Sequence, residues 1–200
     1  MYLIRPATCE DRESAAGLIA ARDTWLRNRS LRSYGNGPGL LDLLAQPREA
    51  ASVIGLFDGC DGRLLGCCAL LSPSGDLPGW TAAECAERSW LMGMAHTHPD
   101  VRGSRLGWLM TVWASDYAAR QPHPPTWIRC AVGRPLIAYC RDSLAWETVR
   151  AQRMPDIGTG ALMQRLPEKK PALAALIDSR MPKQARLLTS LPARTDCAHV

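Results

Sequence analysis

The sequence predicts an α/β (α+β) fold: a mixed, mostly antiparallel central sheet of about seven strands with helices on both faces. Three observations carry this. Two runs rich in β-formers, 52–57 and 64–71, bracket Asp58-Gly59-Cys60-Asp61-Gly62, the turn chemistry of a hairpin. In the second half, strand-like runs alternate with helical patterns, as in βαβ units. Between 98 and 107 a glycine-containing turn separates an apolar strand-like run from a helix whose Leu106, Leu109, Met110, Trp113 and Tyr117 recur at spacings of three and four. Hairpins combined with crossovers require a sheet that is not wholly parallel.

The elements follow in order. Tyr2-Leu3-Ile4-Arg5 alternates like an opening strand that Pro6 ends, and Thr8 caps a helix with Glu10 and Asp11 in its first turn. Leu18, Ile19, Arg22 and Trp25 continue one face of that helix. Tyr34-Gly35-Asn36-Gly37-Pro38-Gly39 then breaks the pattern, with the flexibility of a substrate lid, before a short helix around 40–45. After the hairpin come a polar loop (73–78), a short helical or irregular piece flanked by Glu84 and Glu87, and a buried strand over 89–96. Beyond the glycine turn and its helix, Gln121-Pro122-His123-Pro124-Pro125 precedes a strand over 126–132, a helix over 136–144, and strands over 146–149 and 160–166. The domain is expected to span 1–166. Residues 167–200, basic and carrying Pro167, Pro171, Pro182 and Pro192, are expected to form a separate C-terminal arm.

A chain of 200 residues suits one domain with a sizeable core. Its net charge of +5 and pI near 8.9 fit a polyanionic small molecule, without the Lys/Arg stripe of a nucleic-acid binder, so no nucleic-acid partner is expected. No apolar stretch nears the roughly 18 residues of a membrane span, and no leader pattern opens the chain, so a cytoplasmic protein without membrane contact is expected. The eight cysteines form no CxxC pair and read mostly as reduced, buried small hydrophobes. His96-x-His98 lacks a second ligand cluster, so no metal is expected.

The turn itself is a place to hold phosphates. Gly103 and Gly107 allow close backbone approach, a helix starting near Ser104 aims unpaired N–H groups at the turn, and Arg102 and Arg105 can add charge-assisted bonds. The plainer alternative is that the glycines serve the turn alone and the arginines are solvated.

The order of elements, with Val101-Arg102-Gly103-Ser104-Arg105-Leu106-Gly107 after the fourth strand, resembles the GNAT superfamily of N-acetyltransferases over about residues 2–166. Its signature, Arg/Gln-x-x-Gly-x-Gly/Ala, is met at Arg102 and Gly107, with Arg105 where the middle glycine stands. Ile4-Arg5-Pro6-Ala7, Leu65-Gly66-Cys67 and Leu144-Ala145-Trp146-Glu147-Thr148-Val149 resemble further landmarks, the last being commonly Leu-Gly-Phe/Trp before a strand.

The resemblance implies acetyl-CoA as co-substrate and no metal. Its pyrophosphate would sit on Arg102, Gly103, Ser104, Arg105, Leu106 and Gly107, and its pantetheine between strands 89–96 and 126–132, splayed after a bulge. A backbone N–H at Met94 or Ala95, next to His96, would face the thioester oxygen. Tyr139 is the implied acid for the leaving thiolate. The family tyrosine stands four residues before the glycine of its landmark, whereas Tyr139 stands six before Ala145, a shift that turns a helical side chain by about 200°. Either the helix end is looped out or Tyr139 packs.

For the general base, strand alternation puts Trp90, Met92, Met94 and His96 on one face, which makes His96 a candidate beside Glu84 and Glu87. Trp25, Arg29 and Tyr34 fall where the family's acceptor specificity lies. The expected activity is direct transfer of an acetyl group from acetyl-CoA to a primary amine of a small molecule or protein, with a homodimer left open. The alternative is a GNAT-like domain that keeps CoA as a sensor ligand without chemistry.

Overall fold

The computed structural model describes residues 1–31, 33, 35–46, 48, 51–72, 77–101, 105–154 and 158–181. Its elements run β1 (Tyr2–Pro6), α1 (Arg12–Arg27), α2 (Gly37–Ala45), β2 (Ala51–Asp58), β3 (Leu64–Leu71), α3 (Ala82–Ala86), β4 (Ser89–Thr97), α4 (Leu106–Ala119), β5 (Trp127–Gly133), α5 (Arg134–Leu144), β6 (Glu147–Met154), β7 (Gly158–Arg165) and β8 (Ile177–Ser179). One sheet holds them in the order β6-β7-β5-β4-β3-β2-β1-β8. Pairing is antiparallel throughout except for β4 with β5 and β1 with β8.

Strand alternation divides the core between the two faces. Ile4, Ile54, Leu56, Cys68 and Leu70 pack with Leu106, Leu109, Met110 and Trp113 of α4 and with Cys140 and Leu144 of α5. Val53, Phe57, Leu64, Cys67 and Ala69 turn the other way and meet Ala15, Leu18 and Ile19 of α1 and Leu40, Leu43 and Leu44 of α2. Cys67, Cys68, Cys130 and Cys140 are buried as expected, whereas Cys9 and Cys60 are exposed and Cys197 lies outside the described residues. The entry to α1 is tied to β1 by Arg5, which pairs bidentately with Asp11 at 2.7 and 2.8 Å and lies over the Phe57 ring at 4.0 Å.

The sheet has eight strands rather than about seven, and the difference is the segment expected as an arm. As far as Met181 that segment packs on the domain. Glu168 N–H donates to Ser115 Oγ at 3.0 Å and Lys170 N–H to Asp116 at 2.6 Å, Leu173 and Ile177 are buried, and β8 pairs with β1. Three residues are too few for a periodicity to announce a strand.

Two features of β4 open the sheet. It pairs with β5 only from Ser89 to Leu91, against Trp127 to Arg129, and beyond that the parallel neighbours part. Its register against β3 slips between Cys67 and Ala69, where three steps of β4 from Gly93 to His96 face two of β3. The extra residue is a bulge, and Met94 takes a left-handed backbone there, with φ of 52°. No helix among the described residues is long and apolar enough to cross a membrane.

Candidate active site

The gap between β4 and β5 holds a cavity of about 500 Å³, within the range of small-molecule sites. Met92, Gly93, Ala95 and Thr97 form one side, and Cys130 to Gly133 the other. One end is closed by Leu106, Gly107 and Met110 of α4 and by Leu136, Tyr139 and Cys140 of α5. The other reaches Arg22 of α1 and Asn36 before α2. Since α1 and α2 cover one face of the sheet and α4 and α5 the other, the cavity passes through the sheet.

The bulge corrects the expected face of His96. Trp90 and Met92 face α4, but from Met94 on the phase is reversed: Met94, itself on the cavity wall, packs toward α2 near Gly39, and Ala95 and Thr97 line the cavity as well. His96, paired with Cys67, is turned toward α1 and buried, and its Nε2 has no hydrogen-bond partner. Burial lowers its pKa, and Arg22 lowers it further against the opposing pull of Asp23. His96 is therefore a neutral imidazole behind the cavity wall. His98 N–H bonds Leu65 O at 2.8 Å on the β3 side, and alternation turns the N–H groups of Ala95 and Thr97 toward the gap.

α4 begins at the cavity. Arg105 is its N-cap residue, its carbonyl accepting from Leu109 N–H at 2.9 Å, and its backbone is left-handed, with φ of 51°. This is where the family pattern has glycine, the residue that adopts such a backbone without strain. Gly107 lines the cavity, and a β-carbon built there meets nothing within 4 Å. Arg102, Gly103, Ser104 and Tyr34 lie outside the described residues.

Tyr139 reaches the cavity from an unbroken α5, so the helix is not looped out to bring it there. The ring is 41% exposed on the cavity wall. Burial raises its hydroxyl pKa, Cys140 adds to this, and Arg105 opposes it. The helix closes with Ala145 left-handed, φ 53°, and Trp146 N–H bonding Cys140 O at 3.1 Å. Both glycines missing from the family pattern are thus positive-φ positions. Two thiols share the wall: burial pushes Cys140 up to about 11 and Cys130 upward as well, so both are neutral near pH 7.

The two carboxylates expected as bases are occupied elsewhere. Glu87 pairs with Arg129, which is fully buried, lies over Trp80 at 4.6 Å and also donates to Glu84 O and to Ser89 Oγ at 3.3 Å. Glu84 closes a capping box with Thr81 and takes Arg150 at 3.0 Å. Neither lines the cavity. At the α1 end, Arg22 and Arg29 lie over the Trp25 ring at 4.6 and 4.2 Å, but only Arg22 is on the wall. Arg22 and Asn36 were missed as wall residues, although both belong to the expected acceptor region. Arg129 was missed as well, and its signal was a lone cation in an apolar strand.

No protein-family profile and no curated protein matches the chain. Solved structures do. A GNAT-family acetyltransferase from Listeria monocytogenes superposes with a TM-score of 0.61 at 14% identity, over 82% of this chain and 94% of its own. The aminoglycoside acetyltransferase AAC(6')-Ib, solved with coenzyme A and kanamycin, gives 0.60 at 15% identity, over 83% and 95%. FeeM, an N-acyl amino acid synthase from uncultured soil microbes, gives 0.58 at 12%, over 84% and 92%. Strand order, bulge, splayed strands and these superpositions agree: the chain has the fold of the GNAT acetyltransferases.

Proposed function

We propose that the chain is an acetyl-CoA-dependent N-acetyltransferase that moves the acetyl group directly to a primary amine. The observation that carries this is the cavity through the sheet, with the start of α4 and Tyr139 at one end and α1 and α2 at the other. Coenzyme A bound to the structural neighbour AAC(6')-Ib supports the choice of co-substrate. The open space beside Gly107 fits a diphosphate close to the backbone, with Arg105 supplying charge and the first N–H groups of α4 supplying donors.

When bound, the thioester supplies an acyl carbon open to attack by a neutral amine and a thiolate to leave. The N–H of Ala95, or of Met94 in the bulge, is the donor for the developing oxyanion. Tyr139, held protonated, donates its hydroxyl proton to the departing sulfur. His96, kept neutral by burial behind this wall, is the proposed acceptor of the amine's proton. Because Cys130 and Cys140 stay protonated, the described residues of the wall offer no thiolate for an acyl-enzyme, which supports direct transfer.

One observation favours a sensor that binds CoA without chemistry: no carboxylate lines the cavity among the described residues. Titrating acetyl-CoA against tryptophan fluorescence, then following free-CoA release across a panel of amines, separates the two. Saturable binding with release establishes the enzyme. Saturable binding without release with any amine establishes the sensor, and no binding overturns both.

A further inference from the structure

We propose that the site also takes acyl-CoA donors with linear chains longer than acetyl, about six to eight carbons, and that the closed end of the cavity holds the chain. The inference rests on the transfer reading above and names a further donor class for that same site.

Three directions lead away from the bulge, and two are already assigned. The diphosphate is placed at the start of α4, and the amine enters from the face of the sheet that α1 and α2 cover. The third runs toward the last rung at which β4 and β5 pair, Leu91 with Arg129. Met92 and Cys130 are the next residues beyond that rung, and both line the cavity. Leu144 and Trp146 close this end from the end of α5. Two hydrogen bonds fix their depth. Arg165, opposite Ile128 of β5, donates to Leu144 O at 2.8 Å, and Trp146 N–H donates to Cys140 O at 3.1 Å. Arg165 holds this floor in place without lining the cavity.

The closed end is apolar. Met92, Cys130, Cys140, Leu144 and Trp146 are all buried and belong to the core on the α4 and α5 face. Burial keeps both thiols protonated, so none of the five carries a charge. Thr111 reaches the wall from α4 beside Met110, whose sulfur packs against Gly66 near His96 O, at the level of the bulge rather than of the floor. A wall of this kind offers water few partners and rewards the burial of methylenes.

Length follows from strand geometry. The donor to the thioester oxygen is the N–H of Met94 or Ala95, two or three residues beyond Met92, and a strand rises about 3.3 Å per residue, so roughly 7–10 Å separate the thioester from the floor. An acetyl methyl covers only the start of that distance, whereas an extended hexanoyl or octanoyl chain spans it. The bonds made and broken are those of acetyl transfer. The amine nitrogen bonds the acyl carbon as the C–S bond breaks, the amine loses one proton and the thiolate takes one, and the products are an N-acyl amine and free CoA.

The experiment uses the full chain and compares acetyl-, butyryl-, hexanoyl- and octanoyl-CoA. Calorimetric titration gives the affinity of each donor without amine, and free-CoA release across a panel of amines gives kcat/KM. Each methylene that enters the pocket should tighten binding about fourfold. Hexanoyl-CoA is therefore expected to exceed acetyl-CoA at least tenfold in both affinity and kcat/KM. Leu144→Phe, which fills the floor, should lower the hexanoyl-to-acetyl ratio of kcat/KM at least fivefold, and Leu144→Ala should move the optimum to a longer chain. Because each ratio is taken within one protein, a smaller folded fraction cancels from it. An affinity and kcat/KM no higher for hexanoyl-CoA than for acetyl-CoA, or a ratio that neither variant moves, would overturn this inference while leaving acetyl transfer intact. Donor binding with no CoA release from any pair of donor and amine would overturn the transfer reading, and the transfer proposed here with it.

Discussion

Arg129, with no exposed surface, is held by the Glu87 carboxylate at the last position where β4 and β5 still pair. Strand contact above this point is gone, so the pair fixes the closed end of the gap from which the cavity opens. Removing the carboxylate leaves a buried cation uncompensated, and because Glu87 is nearly half exposed, Glu87→Gln is expected to cost about 1–3 kcal/mol rather than the full penalty of a buried pair. Urea unfolding measures the loss, and kcat at low temperature should stay within a few-fold. A collapse of kcat without loss of stability would instead make Glu87 a catalytic group.

At Gly107 stability and ligand binding should move in opposite directions. An added β-carbon meets nothing, and a glycine in a helix carries a penalty of roughly 0.5–1 kcal/mol relative to alanine, so Gly107→Ala should leave the melting temperature unchanged or raised. The same carbon stands in the space assigned to the diphosphate, and Gly107→Val fills more of it. Calorimetric titration should show acetyl-CoA affinity falling from glycine to alanine to valine.

Tyr139→Phe keeps the ring and removes the proton donor. It should lower kcat about 10²-fold with little change in acetyl-CoA affinity, the scale usual for one general acid. Because burial raises this hydroxyl's pKa, the phenol remains protonated through the usual value of about 10, and the wild-type rate should show no alkaline loss from Tyr139 below that pH. An alkaline limb near pH 8 that survives in Tyr139→Phe would come from another group.

His96 gives stability a pH dependence of known sign. Its folded pKa lies below the ordinary 6.5, so as pH falls through that value the unfolded chain takes up a proton the folded chain does not. Stability is therefore full above about 6.5 and declines below it until the folded pKa is passed. Chemical denaturation at pH 7.5 and 5.5 should show this loss, and His96→Gln should reduce the difference.

Ala145 has a left-handed backbone at the C-terminal end of α5, a conformation that costs an L-residue roughly 1–2 kcal/mol and glycine almost nothing. Ala145→Gly should therefore raise stability, by about 1 kcal/mol once the extra freedom of an unfolded glycine is subtracted. Thermal unfolding is the check.

Much of the fold was legible because burial imposes periodicity. The hairpin at 58–62, the stripe along α4 and the order of the first seven strands follow from alternation and turn chemistry. The splay was foreseen only by family resemblance, since no side-chain pattern says that two parallel strands part after three residues. His96 was put on the wrong face for a related reason: a bulge adds one residue to one strand and inverts every side chain after it without changing composition. The role of Glu87 depends on Arg129, 42 residues away along the chain, and no local pattern reports such a partner. Gly107, by contrast, stands at the cavity where its motif implied, whereas Tyr139 reaches it from an unbroken helix although its spacing to Ala145 left open that it packs.

The three residues of β8 do more than extend the sheet. They cover the backbone of β1, which would otherwise be an outer strand with a row of unpaired amides, the usual template for intermolecular pairing. The strand left outermost is very short, a common protection against edge-to-edge association. Shortening the chain after Leu166 would uncover β1 far from the cavity, and the expected failure is aggregation on refolding rather than an altered response to acetyl-CoA.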